Sequence, residues 1–230
     1  MRSVEAAGPA LLAFALLKGE AASAPLQGPP REAGPFRKAD LVELIRLDPS
    51  LRLDVRYATS NNFVGRPVYA EGRAFLQRPA AEALVRAGKA LRTKGYGLLI
   101  FDGYRPWAVT RLFWDSVPED KRAFVADPSK GSKHNRGCAV DLSLYALATG
   151  LEVEMPSAYD EMSERAHPDY AGGSAASRNA RDLLRAAMEA QGFTVETNEW
   201  WHFNYKDWPR YPILDIPFAD IGGGSAQPSR

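Results

Sequence analysis

The sequence predicts a single α+β domain, with a mixed or antiparallel sheet flanked by helices. Three observations predict it. Short apolar runs of period two recur along the chain and read as strands. Between them lie longer segments that open at proline or serine and close at glycine, which read as helices. The two kinds of segment do not follow a regular strand–helix–strand rhythm, which disfavours a doubly wound parallel sheet.

Taken in order, Leu41 to Leu47 offers a hairpin partner to the next run, with Asp48-Pro49-Ser50 as the turn. Leu51, Leu53, Val55 and Tyr57 alternate with polar residues and predict a half-buried strand. Pro79 opens a helix that passes Leu84 and Leu91 and stops at Gly95. Tyr96 to Phe101 is a compact apolar strand, broken by Asp102-Gly103, and Pro106 opens a second helix through Trp107 to Val117. Ala139 to Tyr145 has strand periodicity. A third helix runs from about Ser177 to Gln191 before Gly192, and Phe193–Thr197 and Trp200–Tyr205 are the last strands. No internal repeat is visible.

With 230 residues and 45% hydrophobic content, the chain is long enough to bury a core as one domain. Its formal net charge of +1, with no long basic run, argues against nucleic-acid binding as the main role. Cys138 is the single cysteine, which excludes an internal disulfide and multi-thiolate zinc sites. No segment reaches the roughly 18 apolar residues that suggest a membrane span.

The N-terminus carries Arg2, an apolar run from Pro9 to Leu17, and the small-residue pattern Ala21-Ala22-Ser23-Ala24. Residues 1–24 read as a secretory signal peptide, with the mature chain starting at Ala24 or Pro25 and residing in the periplasm or outside the cell. The alternative is an uncleaved extension on a cytoplasmic chain. Residues 25–36, rich in proline and glycine, read as a linker, residues 37–220 as the folded domain, and residues 221–230 as a flexible tail.

Two segments carry the chemistry. One is Ser132-Lys133-His134-Asn135-Arg136-Gly137-Cys138-Ala139-Val140-Asp141, and the other is Glu199-Trp200-Trp201-His202. Two imidazoles and a carboxylate suit Zn²⁺ with a fourth position open to water. A further carboxylate beside them is what water activation needs. In the strand from Ala139, Val140, Leu142 and Leu144 share the core face, so Asp141 points into something polar. Gly137 lets the chain turn and bring His134 back over that strand. Cys138 shares the parity of Val140 and reads as a small buried hydrophobe.

In a regular strand Glu199 and His202 face opposite sides, so both serve one site only if Glu199 sits on a turn at Thr197-Asn198. Arg105, held out of the α region by Pro106, ends a loop ahead of a helix. There it can supply a guanidinium to a developing oxyanion. His167 has no ligand-like spacing and is left out. The five tryptophans, Trp107, Trp114, Trp200, Trp201 and Trp208, read as core.

These segments resemble the D-alanyl-D-alanine dipeptidases, from about Asp40 to Pro217. The resemblance includes Tyr57-Ala58-Thr59, Asn62-Phe63-Val64-Gly65, Gly95-Tyr96-Gly97-Leu98-Leu99, Asp102–Pro106, Ser132–Tyr145, Asp160-Glu161-Met162 and Glu199–Phe203. The histidine, aspartate, glutamate and histidine pattern is shared with D,D-carboxypeptidases, L-alanyl-D-glutamate endopeptidases and the hedgehog domain. The Asp-Gly-Tyr-Arg-Pro and Tyr-Ala-Thr segments point more narrowly to the dipeptidases. The segment between Phe113 and Ser132 is shorter than in some relatives.

The resemblance implies a D,D-peptidase/hedgehog-like zinc fold and one Zn²⁺ held by His134, Asp141 and His202. It implies Glu199 as catalytic base and Arg105 as stabiliser of the tetrahedral intermediate. Tyr57 and Asp160 fall around the substrate's N-terminal end, and Ser132 lines the site. The implied substrate is D-Ala-D-Ala, in peptidoglycan metabolism or glycopeptide resistance. The alternatives are a D,D-carboxypeptidase acting on longer peptidoglycan stems and a non-catalytic, hedgehog-like zinc module.

Overall fold

The computed structural model describes residues 28–222. The expected signal peptide, its cleavage site and residues 223–230 of the expected tail lie outside the described residues. The strands are β1 (Leu41–Glu43), β2 (Arg52–Leu53), β3 (Phe75–Gln77), β4 (Tyr96–Asp102), β5 (Ala139–Ala146), β6 (Phe193–Glu196) and β7 (Glu199–Tyr205). The helices are α1 (Leu44–Leu47), α2 (Arg78–Arg92), α3 (Trp107–Ser116) and α4 (Ala175–Glu189). The main sheet has the order β2-β4-β5-β7-β6, with β2 parallel to β4 and the remaining pairs antiparallel. It is the mixed sheet of an α+β domain.

α2 and α4 cover one face of this sheet. α2 starts with proline in its first turn and buries Ala80, Ala81, Leu84, Ala87 and Leu91, an apolar stripe at helical spacing. α4 is capped by Ser174, whose side chain accepts from the Ser177 amide, and it buries Ala180, Leu184 and Met188. Against them stand Val140, Leu142 and Leu144 of β5, all fully buried as their parity requires, and Cys138 lies in the same core.

The other face of β5 is not solvated. Tyr145 packs there with Leu99, Phe101 and Tyr159, so Asp141 and Ser143 are enclosed as well.

Two local expectations differ. Residues 41–47 do not pair with the following run: β1 pairs with β3 instead, and Leu44–Leu47 is a single helical turn. The predicted strand from Leu51 to Tyr57 shortens to Arg52–Leu53. Its burial alternation survives, because Leu51, Val55 and Tyr57 are all buried. Beyond Leu53 the chain leaves the sheet edge and forms a 3₁₀ turn at Arg56–Ala58, which carries Tyr57 inward.

At the ends, residues 28–36 have no helix or strand, but Glu32 in this segment accepts from Arg136 and from the Ile213 amide. Ile221, placed in the tail by its sequence, is buried in a cluster with Phe75 and Tyr104.

One glycine decides how the site is reached. Gly137 has φ 66° and ψ 27°, the left-handed conformation, and it closes the 3₁₀ turn His134–Arg136 immediately before β5. A Cβ there would also come within 2.5 Å of a Leu41 methyl carbon. Gly137→Ala should therefore cost about 1–2 kcal/mol of stability from its backbone conformation alone. The test is urea unfolding, where a midpoint equal to wild type would contradict this role for Gly137.

Candidate active site

The Gly137 turn folds His134 back over β5, and β5–β7 pairing sets Asp141 directly opposite His202. Three ligand-type atoms converge. His134 Nε2 lies 3.2 Å from His202 Nδ1 and 3.3 Å from Asp141 Oδ1, and His202 Nδ1 lies 3.2 Å from Asp141 Oδ1. Ligand atoms placed at about 2.0–2.1 Å around a tetrahedral zinc ion stand about 3.3–3.4 Å apart. The three side chains are buried, and Asp141 Oδ1 has no hydrogen-bond partner. A buried carboxylate oxygen without a donor is costly, and a cation between these atoms removes that cost. The donor set fits a divalent metal on geometry and chemistry.

Neighbouring groups orient each ligand. His134 Nδ1 lies 2.7 Å from the Gly103 carbonyl oxygen, which takes its proton and leaves Nε2 with a lone pair. Gly103 must be glycine at this point, because a Cβ would lie 2.6 Å from the Phe75 carbonyl oxygen. His202 Nε2 lies 2.8 Å from Asn204 Oδ1, which in the same way leaves Nδ1 for the metal. Tyr159 donates its hydroxyl to Asp141 Oδ2 at 3.0 Å and leaves Oδ1 facing the two rings.

Without a metal the protonation balance differs. Burial pulls the His202 pKa down, but the Asp141 carboxylate 3.2 Å away, with Glu199, raises it to about 9. Burial also opposes ionisation of Asp141, yet the two histidines hold it well below the usual carboxylate range. A metal held by His134, Asp141 and His202 would take the place of the proton on His202.

Glu199 reaches the same site. Thr197-Asn198 forms the turn, as expected, but Glu199 is already the first residue of β7. Strand parity is overcome by a register irregularity. Val195 stands opposite Phe203, yet the next residue, Glu196, stands opposite Glu199 and not His202. Glu199 Oε2 lies 3.4 Å from His202 Nδ1. Burial is the largest influence on its carboxyl and pushes it up to about 7.

Arg105 is buried and is not a surface arginine. It pairs with Asp102 Oδ2 through Nε at 2.9 Å and Nη2 at 2.8 Å, and Nη2 lies 3.6 Å from Asp141 Oδ2. Its guanidinium lies over the rings of Phe113 and Tyr57. Asp102 arrives through a bulge. Ile100 pairs with Leu142, but Asp102 pairs with Asp141, so the extra residue Phe101 shifts Asp102 to the site face. Asp102 also accepts from Tyr69 and from the Gly103 amide.

Tyr57 donates to both oxygens of Asp160, at 3.1 and 3.0 Å, and its ring is boxed by Phe63, Tyr69, Phe113 and Tyr159. Asp160 has φ 60°, uncommon for a residue with a side chain. Burial, and then the charge of Asp141, hold its carboxyl well above the usual range. Ser132 accepts from the His134 amide and steadies that turn.

All eight residues singled out in the sequence line one cavity of about 370 Å³. His167 does not line it. Trp201 and Trp208 line it too, so these two tryptophans are not purely core. Asp102, Tyr159 and Asn204 were missed. The signal for Asn204 was its parity, two residues beyond His202 on one strand face. Asp102 and Tyr159 carried no periodic or spacing signal.

Residues 37–220 match the peptidase M15 family, described as D-ala-D-ala dipeptidase. The chain belongs to this family. It is 33% identical over 180 residues to the D-alanyl-D-alanine dipeptidase of Escherichia coli (strain K12), covering 78% of this chain and 92% of that protein. It is 40% identical over 187 residues to the enzyme of the same name from Enterococcus faecium, covering 73% of this chain and 92% of that protein. The corresponding protein of Streptomyces coelicolor is 36% identical over 188 residues, covering 74% of this chain and 93% of its own length.

The Asp102–Arg105 pair generates a test that is independent of any metal. Asp102→Ala leaves a buried guanidinium with only the more distant Asp141. Breaking such a pair costs about 3–5 kcal/mol. Chemical denaturation should show a loss in that range. A loss under about 1 kcal/mol, as expected for an exposed pair, would contradict the reading of Arg105 as a buried, anchored cation.

Proposed function

We propose that this chain is a zinc-dependent dipeptidase that hydrolyses D-alanyl-D-alanine to two D-alanines, in peptidoglycan metabolism or glycopeptide resistance. One observation carries the reading: two histidine nitrogens and an unpartnered carboxylate oxygen stand at zinc-ligand separations beside a half-buried glutamate. His134, Asp141 and His202 would hold the ion, one per chain. When bound, zinc supplies Lewis acidity that polarises a carbonyl oxygen and makes water a better nucleophile at neutral pH.

The protein's own groups account for the rest. Glu199 takes a proton from the attacking water and delivers it to the leaving amine nitrogen as the C–N bond breaks. Its elevated proton affinity suits a group that both accepts and returns a proton. Arg105, clamped by Asp102 and already positioned before reaction, stabilises negative charge developing on the carbonyl oxygen. Asp160 and Tyr57 receive the substrate's ammonium group. A carboxyl whose only side-chain hydrogen-bond partner among the described residues is a tyrosine hydroxyl gains a counter-ion when that group arrives.

Aromatic rings pack around Tyr57, and this wall supports a free dipeptide over a longer stem. Glu199 beside the ligand set and the clamped Arg105 favour catalysis over a non-catalytic module, because a structural zinc site needs neither.

Glu199→Ala should retain stoichiometric zinc while losing about 10²–10⁴-fold in kcat. His134→Ala, Asp141→Ala and His202→Ala should lose tight zinc binding as well. Metal analysis and turnover of each variant check this. Glu199→Ala turning over at close to the wild-type rate would contradict the mechanism. Turnover of a pentapeptide stem in place of the free dipeptide would favour the carboxypeptidase. A zinc-loaded wild type that cleaves no D,D-peptide would favour the binding module.

A further inference from the structure

The two ligand histidines use different nitrogens. His134 faces the cluster with Nε2, whereas His202 faces it with Nδ1. His202 can ligate through Nδ1 only when its proton resides on Nε2. Asn204 Oδ1 accepts that proton at 2.8 Å. An asparagine side chain, however, presents an acceptor at one end and a donor at the other, and a half-turn exchanges them. In the reversed orientation its NH₂ group would oppose the Nε2 proton.

A second group fixes the orientation. Asn204 Nδ2 donates to Glu196 Oε2 at 3.0 Å, and Lys133 Nζ donates to the same oxygen at 2.9 Å. Glu196, paired with that lysine, is a carboxylate and can only accept. A reversed amide would set the Asn204 carbonyl oxygen against this carboxylate, acceptor against acceptor. The hydrogen-bond polarity therefore runs in one direction. His202 donates to Asn204, Asn204 donates to Glu196, and Lys133 closes the chain with a further donor. Glu196 reaches this place through the same β6–β7 irregularity that brings Glu199 to the site.

We propose that Asn204 and Glu196 are positioning residues that fix the Nε2-protonated, ligating tautomer of His202. The proposal rests on the metal reading of His134, Asp141 and His202. Neither Asn204 nor Glu196 reacts. Both act through the ring of His202, and removing such a partner typically weakens metal binding about 10–100-fold.

The test is zinc affinity of the full chain, measured by competition with a chromogenic chelator, with circular dichroism to confirm folding. Asn204→Ala should bind zinc about 10–100-fold more weakly than wild type. Glu196→Ala frees the amide to reverse and should weaken binding in the same direction by a smaller factor. Asn204→Asp, placed in the Glu196→Gln background to avoid facing carboxylates, still accepts from Nε2 and should restore affinity to near wild type. A purely structural asparagine would not be rescued in this way.

A second readout is ¹⁵N NMR of the His202 ring in zinc-loaded protein, which should show the proton on Nε2. Wild-type affinity in both Asn204→Ala and Glu196→Ala, or a ring proton on Nδ1, overturns the proposal. If Asn204→Ala does not fold, Glu196→Ala, one bond further from the ring, decides it. If wild-type protein takes up no zinc, the metal reading falls and this one falls with it. Wild-type zinc binding that both variants leave unchanged overturns only this proposal.

Discussion

Two imidazole nitrogens and a carboxylate oxygen, held 3.2–3.3 Å apart and out of water, present their lone pairs to one another. That arrangement is unfavourable unless a proton or a metal cation stands between them. Much of the surrounding structure keeps it in place. The Gly103 carbonyl, the Asn204 amide and the Tyr159 hydroxyl each take one ligand's other polar atom, so each ligand has one direction left to point. A proton on His202 relieves the crowding, and a bound metal would exchange one cation for another.

The charges around this centre alternate in sign. Asp102 and Asp141 flank Arg105, and Asp141 lies between Arg105 and the histidines. Each buried charge has an opposite neighbour, which is the condition under which such groups stay ionised in a protein interior. Asp160, half-buried on the cavity wall, differs. Its nearest partner is the neutral Tyr57 hydroxyl, and its backbone has positive φ. A carboxyl at positive φ on a cavity wall, held above the usual range, is a candidate to receive a cation.

The sequence made the ligand set legible because the cause is local. Gly137 is a single residue that permits a left-handed turn, and a strict period of two places Asp141 away from Val140 and Leu142. The long helices were legible for the same reason, through apolar spacing and proline or serine starts. What was not legible depends on pairing between distant segments. The conflict between Glu199 and His202 was visible, but its resolution is a register irregularity against β6 that no local pattern encodes. Asp102 owes its place to a bulge opposite β5, and Tyr159 arrives on a loop. The run Leu51–Tyr57 has the alternation of a strand, yet only Arg52–Leu53 pairs with β4, because the chain then turns inward to carry Tyr57 to the cavity. Alternation reported burial correctly and pairing incorrectly.

The most direct measurement is zinc K-edge X-ray absorption on the zinc-loaded chain. Two imidazoles and one carboxylate oxygen, with a further light atom, should give a four-coordinate shell of nitrogen and oxygen at about 2.0–2.1 Å, with imidazole outer-shell scattering. Cys138, buried on the opposite face of β5, should contribute nothing. A sulfur shell near 2.3 Å or a shell without imidazole scattering would contradict the account at its centre.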